Sequence, residues 1–384
     1  MQNTTHFDYI IIGNGLAGLQ LALELSKDPF FKDYNVALID PSVKIDNDKT
    51  WSFWEQGAGK FDTIVEKTWH TAKFKSSNIS LNLPLEEYQY KSIRSIDFYR
   101  WAKNQLEANS NFKFISDTIQ TIEETDGLNV IGENGVYSGK HIFDSRIPKE
   151  FYKQQSKYTL IHQHFKGWII ETGLPCFKTD AFTMMDYRFQ YKDSTSFIYV
   201  LPFSETTALI EYTFFTPFTV DTEIYDDAIE SYIKNQLKID NYQILETEIG
   251  NIPMTDFPFW NFHSHNVTKI GTGAGWVKGS TGYSFKHTEK NVSKLIANIK
   301  VGKSPSQNLF KKKFKFYDKI FLKVLHDENE KGVWIFESFY SKNSIRTMFR
   351  FLDEETTFSE DIGIMKSLFS MAFIKAFFKV LFKF

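Results

Sequence analysis

The stretch Ile12-Gly13-Asn14-Gly15-Leu16-Ala17-Gly18-Leu19 (IGNGLAGL) follows the apolar run Tyr9-Ile10-Ile11 and leads into QLALELSK. The order spells a buried strand, a tight glycine turn and an apolar helix. In such a unit Gly13 makes the turn and Gly15 lets backbone amides approach a pyrophosphate at the helix N-terminus. Gly18 lets helix and strand pack closely. The context that confirms a dinucleotide cradle is a second strand ending in an acid about 20 residues later. NVALID supplies it, with Val36 to Ile39 as the strand and Asp40 as the expected ribose ligand. The fold class is therefore α/β with a Rossmann-like nucleotide-binding unit.

No second strand–glycine–helix–acid unit occurs, which argues against a reductase that binds two nucleotides. After the helix-like FYRWAKNQLEA come the short strands FKFIS, TIQTIEET and LNVIGENGVYSGKHIFDSR. Hairpins inserted there suit an FAD-binding domain of glutathione-reductase type better than an NAD dehydrogenase. From 157 to 215 short aromatic runs alternate as in an antiparallel sheet, and the helix-like YDDAIESYIKNQL follows. A second glycine cluster, KIGTGAGWVKGSTGYSF, reads as strand, loop and helix start, and helical patterns fill the chain from about 308. The expected organisation is interleaved. Residues 1–156 and 246–300 form the FAD-binding domain, 157–245 an antiparallel-sheet substrate domain, and 301–384 a helical C-terminal region.

Bulk properties narrow the partners. A formal net charge of −2 over 384 residues argues against nucleic acid. The single cysteine, Cys176, excludes an intrachain disulfide and fits a reducing compartment. The first residues carry no basic n-region or cleavage pattern, so a cytoplasmic location is expected. The 39 Phe and 8 Trp are many for a soluble enzyme and would fill a core or line a tunnel for a large apolar ligand. His162 with His164, and His263 with His265, share strand faces, but no acidic or cysteine cluster completes a metal site, and none is expected.

Several blocks in order resemble the lycopene cyclase family of flavoproteins, in its bacterial type. They are DNDKTWSFW (Asp46 to Trp54), FDSR (Phe143 to Arg146), QHFKGW (Gln163 to Trp168), MMDYR (Met184 to Arg188), LPFSETTALIEYT and GTGAGWVKGSTGYSF. The resemblance implies closure of an acyclic ψ-end of lycopene or γ-carotene to a β-ring, with no net redox change. It also implies reduced FAD, with NAD(P)H as the source of electrons. An acid protonates the terminal alkene, a neighbouring alkene attacks the carbocation, and loss of a ring proton gives the cyclohexene. An FAD monooxygenase or prenyl reductase acting on an apolar isoprenoid is the alternative.

Glu211, in LIEYT, matches the first acid of the family's Phe-Leu-Glu-Glu-Thr-like motif, and its apolar strand would favour the protonated donor form. Tyr212 stands where that motif has its second acid, which puts in doubt any mechanism built on paired carboxylates. Trp51 and Trp54 would steady a passing cation through their ring faces or pack the core. Backbone amides of Gly271 to Gly275 would meet the pyrophosphate or ribityl chain. The resemblance places Lys278, Thr281 and Gly282 near the isoalloxazine, with Gly275 and Gly282 expected where backbone approaches cofactor. Lys278 would hold an anionic reduced flavin or serve as a surface lysine.

The tail MKSLFSMAFIKAFFKVLFKF, Met365 to Phe384, spaces Lys375, Lys379 and Lys383 four apart on an otherwise apolar helix. A segment over 363–384 of this kind reads as an interfacial helix on a membrane surface, or as a packed terminal helix. Peripheral association with the cytoplasmic membrane is the expectation.

Overall fold

The computed structural model describes residues 4–124 and 127–382. The strand Thr5–Ile12, the helix Leu16–Lys27 and the strand Val36–Ile39 form the expected parallel unit, with Tyr9 opposite Val36 and Ile12 opposite Ile39. Ile10, Ile11, Leu21, Ala22 and Leu38 are fully buried, as continuous apolar runs covered on both faces must be. The sheet runs Phe112–Ile115, Val36–Ile39, Thr5–Ile12, Val136–Asp144, Asn129–Gly132, Ile119–Glu123. Val136–Asp144 pairs with the hairpin through its first half and with Val267–Lys269 through its last three residues.

A second seven-stranded sheet stands apart from the first. Its order is Tyr242–Thr255, Leu160–Thr172, Thr207–Thr216, Ser196–Pro202, Ala181–Asp186, Thr71–Lys75, Ser80–Pro84. Alternation along these strands separates two environments. Trp168, Ile170, Ile198, Val200, Ile210, Tyr212 and Phe214 pack beneath the helix Thr222–Tyr232. Leu209, Glu211, Thr213 and Phe215 face the other way. A small third sheet joins Thr50–Gln56, Tyr88–Arg94 and Lys67–Trp69.

The mixed α/β class is as expected, but two boundaries move. Thr71–Lys75 and Ser80–Pro84, expected in the nucleotide-binding part, belong to the second sheet, where Ala181–Asp186 pairs in parallel with Thr71–Lys75. Tyr242–Thr255 runs past the expected boundary at 246 and forms that sheet's edge, paired with Leu160–Thr172 along its whole length.

The helices Lys312–Asp327 and Gly332–Lys342 close the second sheet's inner face, with Leu322 and Leu325 fully buried. The tail is not one helix. It runs Phe358–Ser367 and Met371–Phe382 with a break between. Ser367 bonds its hydroxyl back to Ile364 O at 2.7 Å, competing with the helical ladder. The turn then lets Leu368, Ala372 and Ala376 enter the core that holds Ile364. Lys379 pairs with Asp327 on the protein body at 2.7 Å, Lys375 is exposed, and Lys383 lies outside the described residues. No helix among the described residues is long and apolar enough to cross a membrane.

Asp361, fully buried, ties the C-terminal helices together. It accepts from Thr356 Oγ1 at 2.5 Å, Lys313 Nζ at 2.8 Å and Tyr317 OH at 3.2 Å. Removing Asp361 leaves the buried Thr356 hydroxyl without its acceptor, while Lys313, 37% exposed, keeps Thr356 O and water. Asp361→Ala is therefore expected to cost about 1–3 kcal/mol in denaturant unfolding, and no measurable loss would show that Asp361 is not the tie.

Candidate active site

A cavity of about 860 Å³ lies between the two large sheets. One end is the glycine turn. Gly13 sits at φ +101°, and a Cβ there would fall 2.0 Å from Ser145 Oγ. A Cβ on Gly18 would stand 2.0 Å from Gly13 O, so the close helix–strand contact requires glycine. Gly15 has open space where its Cβ would be, and no side chain caps the helix it begins. The first helical N–H groups are therefore left to a ligand at the cavity end.

Asp40 accepts the N–H groups of Asn14 and Ser42, each at 2.7 Å. It thus clamps the turn to the second strand, and a carboxylate retains further lone pairs for a ribose. It lines a smaller cavity of about 310 Å³ with Asn14, Lys44 and Tyr99. Asn14 Oδ1, Trp276 Nε1 and Gln163 Oε1 are buried without partners beside these cavities. Turn, clamp and orphaned polar atoms fit a dinucleotide.

The second glycine cluster serves more than one purpose. Gly271, at φ +57°, brings the turn Gly271–Ala274 against Ala17 and onto the cavity wall. Thr281 and Gly282 also line the wall, and a Cβ on Gly282 would fall 1.7 Å from Gln163 Oε1. Gly275 does not line this cavity. It closes the turn at φ +69° beneath the ring of Phe259, so its glycine is required by the backbone and by that ring. Lys278 corrects a further expectation. Its side chain is buried away from the cavity, paired with Asp318 at 2.9 Å and Glu354 at 3.4 Å. Burial works against its charge, and the two carboxylates overcome it. This lysine anchors the glycine loop to the C-terminal helices.

Trp51 and Trp54 separate as well. Trp51 lines the cavity, edge-on to Phe98 and Tyr99. Trp54 is a core residue, stacked on Phe349 at 4.7 Å and edge-on to Tyr283 at 4.6 Å. Successive strand residues point to opposite sides, and Trp54 lies three positions from Trp51.

The far end of the cavity holds the acids. Glu211 lies opposite Tyr199 on one neighbouring strand and opposite Gly167 on the other, and Gly167 lies opposite Glu248 on the edge strand. A single row therefore reads Tyr199, Glu211, Gly167, Glu248. A Cβ on Gly167 would sit 2.8 Å from Leu209 Cδ1 and 3.3 Å from Glu211 Cβ. Its bare position lets the two carboxyl groups lean together and share a hydrogen bond. Thr213 Oγ1 donates to Glu211, and Thr50 Oγ1 donates to Glu248 at 3.0 Å. Burial first, then the neighbouring charge of Glu248, push the Glu211 carboxyl well above the usual range. Burial also raises Glu248, while the bonds from Thr50 and Glu211 oppose it. Both carboxyl groups are pushed up, Glu211 the more strongly, so the pair retains a proton.

The paired carboxylates that Tyr212 put in doubt thus exist, completed from another strand. Tyr212 faces the opposite core. In the sequence, the trace of Glu248 is the alternation Glu246, Glu248, Gly250 along one strand face, and the register that brings it beside Glu211 is not local. Around the acids stand the hydroxyls of Tyr199, Tyr90 and Tyr283, bonded Tyr90–Tyr199 at 2.8 Å and Tyr90–Tyr283 at 3.3 Å. Burial pushes the Tyr283 phenol up to about 12, so it stays neutral. Phe197, Phe215, Phe336 and Phe339 complete an apolar wall.

The family model for lycopene cyclase proteins matches residues 8–378. The chain belongs to the lycopene cyclase family. A search of curated proteins finds no match. Among solved structures, a geranylgeranyl bacteriochlorophyll reductase-like protein from Thermoplasma acidophilum is 11% identical, with a TM-score of 0.60 over 98% of this chain and 100% of that one. A tryptophan halogenase from Shewanella frigidimarina is 11% identical, with a TM-score of 0.60 over 99% and 93%. The flavin-dependent brominase Bmp2 is 14% identical, with a TM-score of 0.58 over 99% and 100%. At these identities the likeness is one of fold. Within this lycopene cyclase family member, the described residues contain no group of three His, Cys, Asp or Glu arranged to hold a metal ion.

The raised Glu211 carboxyl has a thermodynamic consequence. The folded state keeps the proton above the pH at which an unfolded Glu, near 4.3, releases it, so stability falls as pH rises from there towards the folded value. Glu211→Gln removes that penalty. Its melting temperature is expected to exceed wild type by a few degrees at pH 8 and hardly at pH 4. An equal difference at both pH values would show that Glu211 is not a buried, protonated acid.

Proposed function

We propose that this lycopene cyclase family member closes ψ-ends of lycopene or γ-carotene to β-rings, with reduced FAD in the cradle. The observation that carries the reading is Glu211: a buried acid kept protonated in an apolar-walled cavity that is continuous with a dinucleotide site. Gly15 and the first turn of the helix would hold the pyrophosphate, Asp40 the adenosine ribose, and the Gly271–Thr272 and Thr281–Gly282 backbone the flavin end. Bound in its reduced form, FAD would supply fixed negative charge opposite a developing cation, and NAD(P)H is the expected source of its electrons.

Glu211 delivers its proton to the terminal alkene, leaving a tertiary cation. Protonation by a positioned acid contributes typically 10²–10⁴-fold. The faces of Trp51 and of the aromatic wall steady positive charge and exclude the water that would trap the cation as an alcohol. The neutral tyrosines add dipoles without adding a competing anion.

We further propose a cytoplasmic protein that rests on the membrane. Phe369 (73% exposed), Phe378 (51%) and Leu381 (50%) are exposed along the tail. Such an exposed apolar patch fits an interfacial site better than solvent. Replacing all three by Ser is expected to lower liposome partitioning about tenfold or more, and unchanged co-sedimentation would refute the membrane contact.

The reaction is tested with purified protein and lycopene in liposomes, anaerobically, with FAD and NADPH. Cyclic product without stoichiometric NADPH oxidation is expected, and Glu211→Gln should lower it at least about 100-fold. Oxygen-dependent product, or NADPH consumed in step with turnover, would instead favour a monooxygenase or prenyl reductase.

A further inference from the structure

Ring closure needs a base as well as an acid, and Glu211 alone does not supply both at once. We propose that Glu248 is the second catalytic residue, the carboxylate that removes the ring proton and returns it to Glu211. The inference rests on the cyclase reading above.

Placement argues for it first. Glu211 and Glu248 flank the same residue, Gly167, from strands on either side, and both face the cavity. The carbon that receives a proton and the carbon that loses one belong to the same six-membered ring. A pair of hydrogen-bonded carboxyl groups on one face of that ring can reach both. A side chain at position 167 would separate the acids, and none is there.

Chemistry argues for it next. In the proposed cycle the pair starts with one proton, held on Glu211, and Glu248, which accepts from Thr50, is the carboxylate. Transfer of the Glu211 proton makes a new C–H bond from the terminal π pair. Both carboxylates are then ionised opposite the carbocation. The second alkene's π pair forms the ring C–C bond and moves the cation to the adjacent carbon. Glu248 takes the neighbouring C–H proton, and that electron pair becomes the ring double bond. The proton then crosses the Glu211–Glu248 hydrogen bond and restores the starting state, so no electron and no net proton is consumed.

Among the described residues, no other base contacts the pair. Thr213 and Thr50 donate to it. The Tyr90, Tyr199 and Tyr283 phenols are held neutral by burial. On the edge strand Glu246 is occupied by Arg94. Burial, with the charges of Asp97, Glu246 and Glu248 adding to it, pushes Glu66 up to about 7, and Glu66 does not line the cavity.

The test compares wild type, E211Q, E248Q and E248D as full-length, FAD-loaded protein in lycopene liposomes, with products separated and identified. E248Q is expected to form β-ring product at least about 100-fold more slowly. It should divert the cation into cyclic alcohol or into rings with a displaced double bond, whereas E211Q leaves lycopene unreacted. E248D, which keeps the carboxylate, should recover part of the β-ring rate. A second readout needs no turnover: the infrared carbonyl band of the buried protonated acid, titrated without carotene. It should titrate at lower pH in both E211Q and E248Q than in wild type, because each variant removes the neighbouring anion.

E248Q making only β-rings at the wild-type rate would overturn the proposal. So would E248Q leaving lycopene untouched with no diverted product, because a base acts after protonation. Wild type making no ring at all would fail the cyclase reading itself, and the infrared titration would still report whether the pair shares one proton.

Discussion

Two carboxyl groups side by side in an apolar cavity, without a cation to pair either, form the constraint on which this structure turns. Two charges so placed repel strongly where the effective dielectric is low, so the pair retains a proton. The fold makes this arrangement through an absence, the missing side chain of Gly167. Among the described residues, the partners of Glu211 and Glu248 are hydroxyls, the Thr50 backbone and one another, with no cation. A lysine there would have stabilised both carboxylates and abolished the acid. The lysine nearest in expectation, Lys278, is instead consumed by Asp318 and Glu354 elsewhere.

How much of this was legible depended on sequence separation. The cradle is local: turn, helix start and acid lie within Gly13 to Asp40, and Gly13 and Gly18 have steric reasons while Gly15 leaves open space at the helix start. The second sheet was legible as alternation from 157 to 215, and with it the inward placement of Glu211. Glu248 was not, because only the register across Gly167, itself far from both acids in the chain, brings them together. The burial of Lys278 is illegible for the same reason, since its partners come from a helix 40 residues further on and a turn 76 residues further on. In the tail, the apolar pattern was correctly read as helical, but the break after Ser367 reflects what Leu368 and Ala372 pack against, which periodicity does not encode.

The interleaving of the chain also has mechanical consequences. The second sheet takes two strands from the stretch between the nucleotide-binding strands, and its edge strand leads directly back to the first sheet. The two halves are therefore tied by several crossings rather than by one linker, and the cavity between them is held at a set width. Glu248 gains from this, because Thr50, its hydroxyl donor, comes from the third sheet. The acid pair is thus oriented by three separate segments whose relative positions the crossings hold.

A site meant for a carbocation has to satisfy two opposed demands. It must offer negative charge to a transient cation, yet hold nothing nucleophilic enough to capture it and no mobile water. Aromatic faces answer the first demand weakly and the second well. The acid pair answers the first strongly, but only after the proton has left, when its full charge appears opposite the cation it has just made. The order of events therefore matters more than the static charge. A doubly ionised pair would be present before protonation and would pull positive groups or water into the cavity, whereas a pair that shares a proton reaches its full negative charge only while the cation exists. The neutral tyrosine cluster beside it fits the same logic: it solvates the pair without supplying an ion of its own. Through this timing, a fold that begins with a nucleotide cradle can support proton chemistry on an apolar substrate.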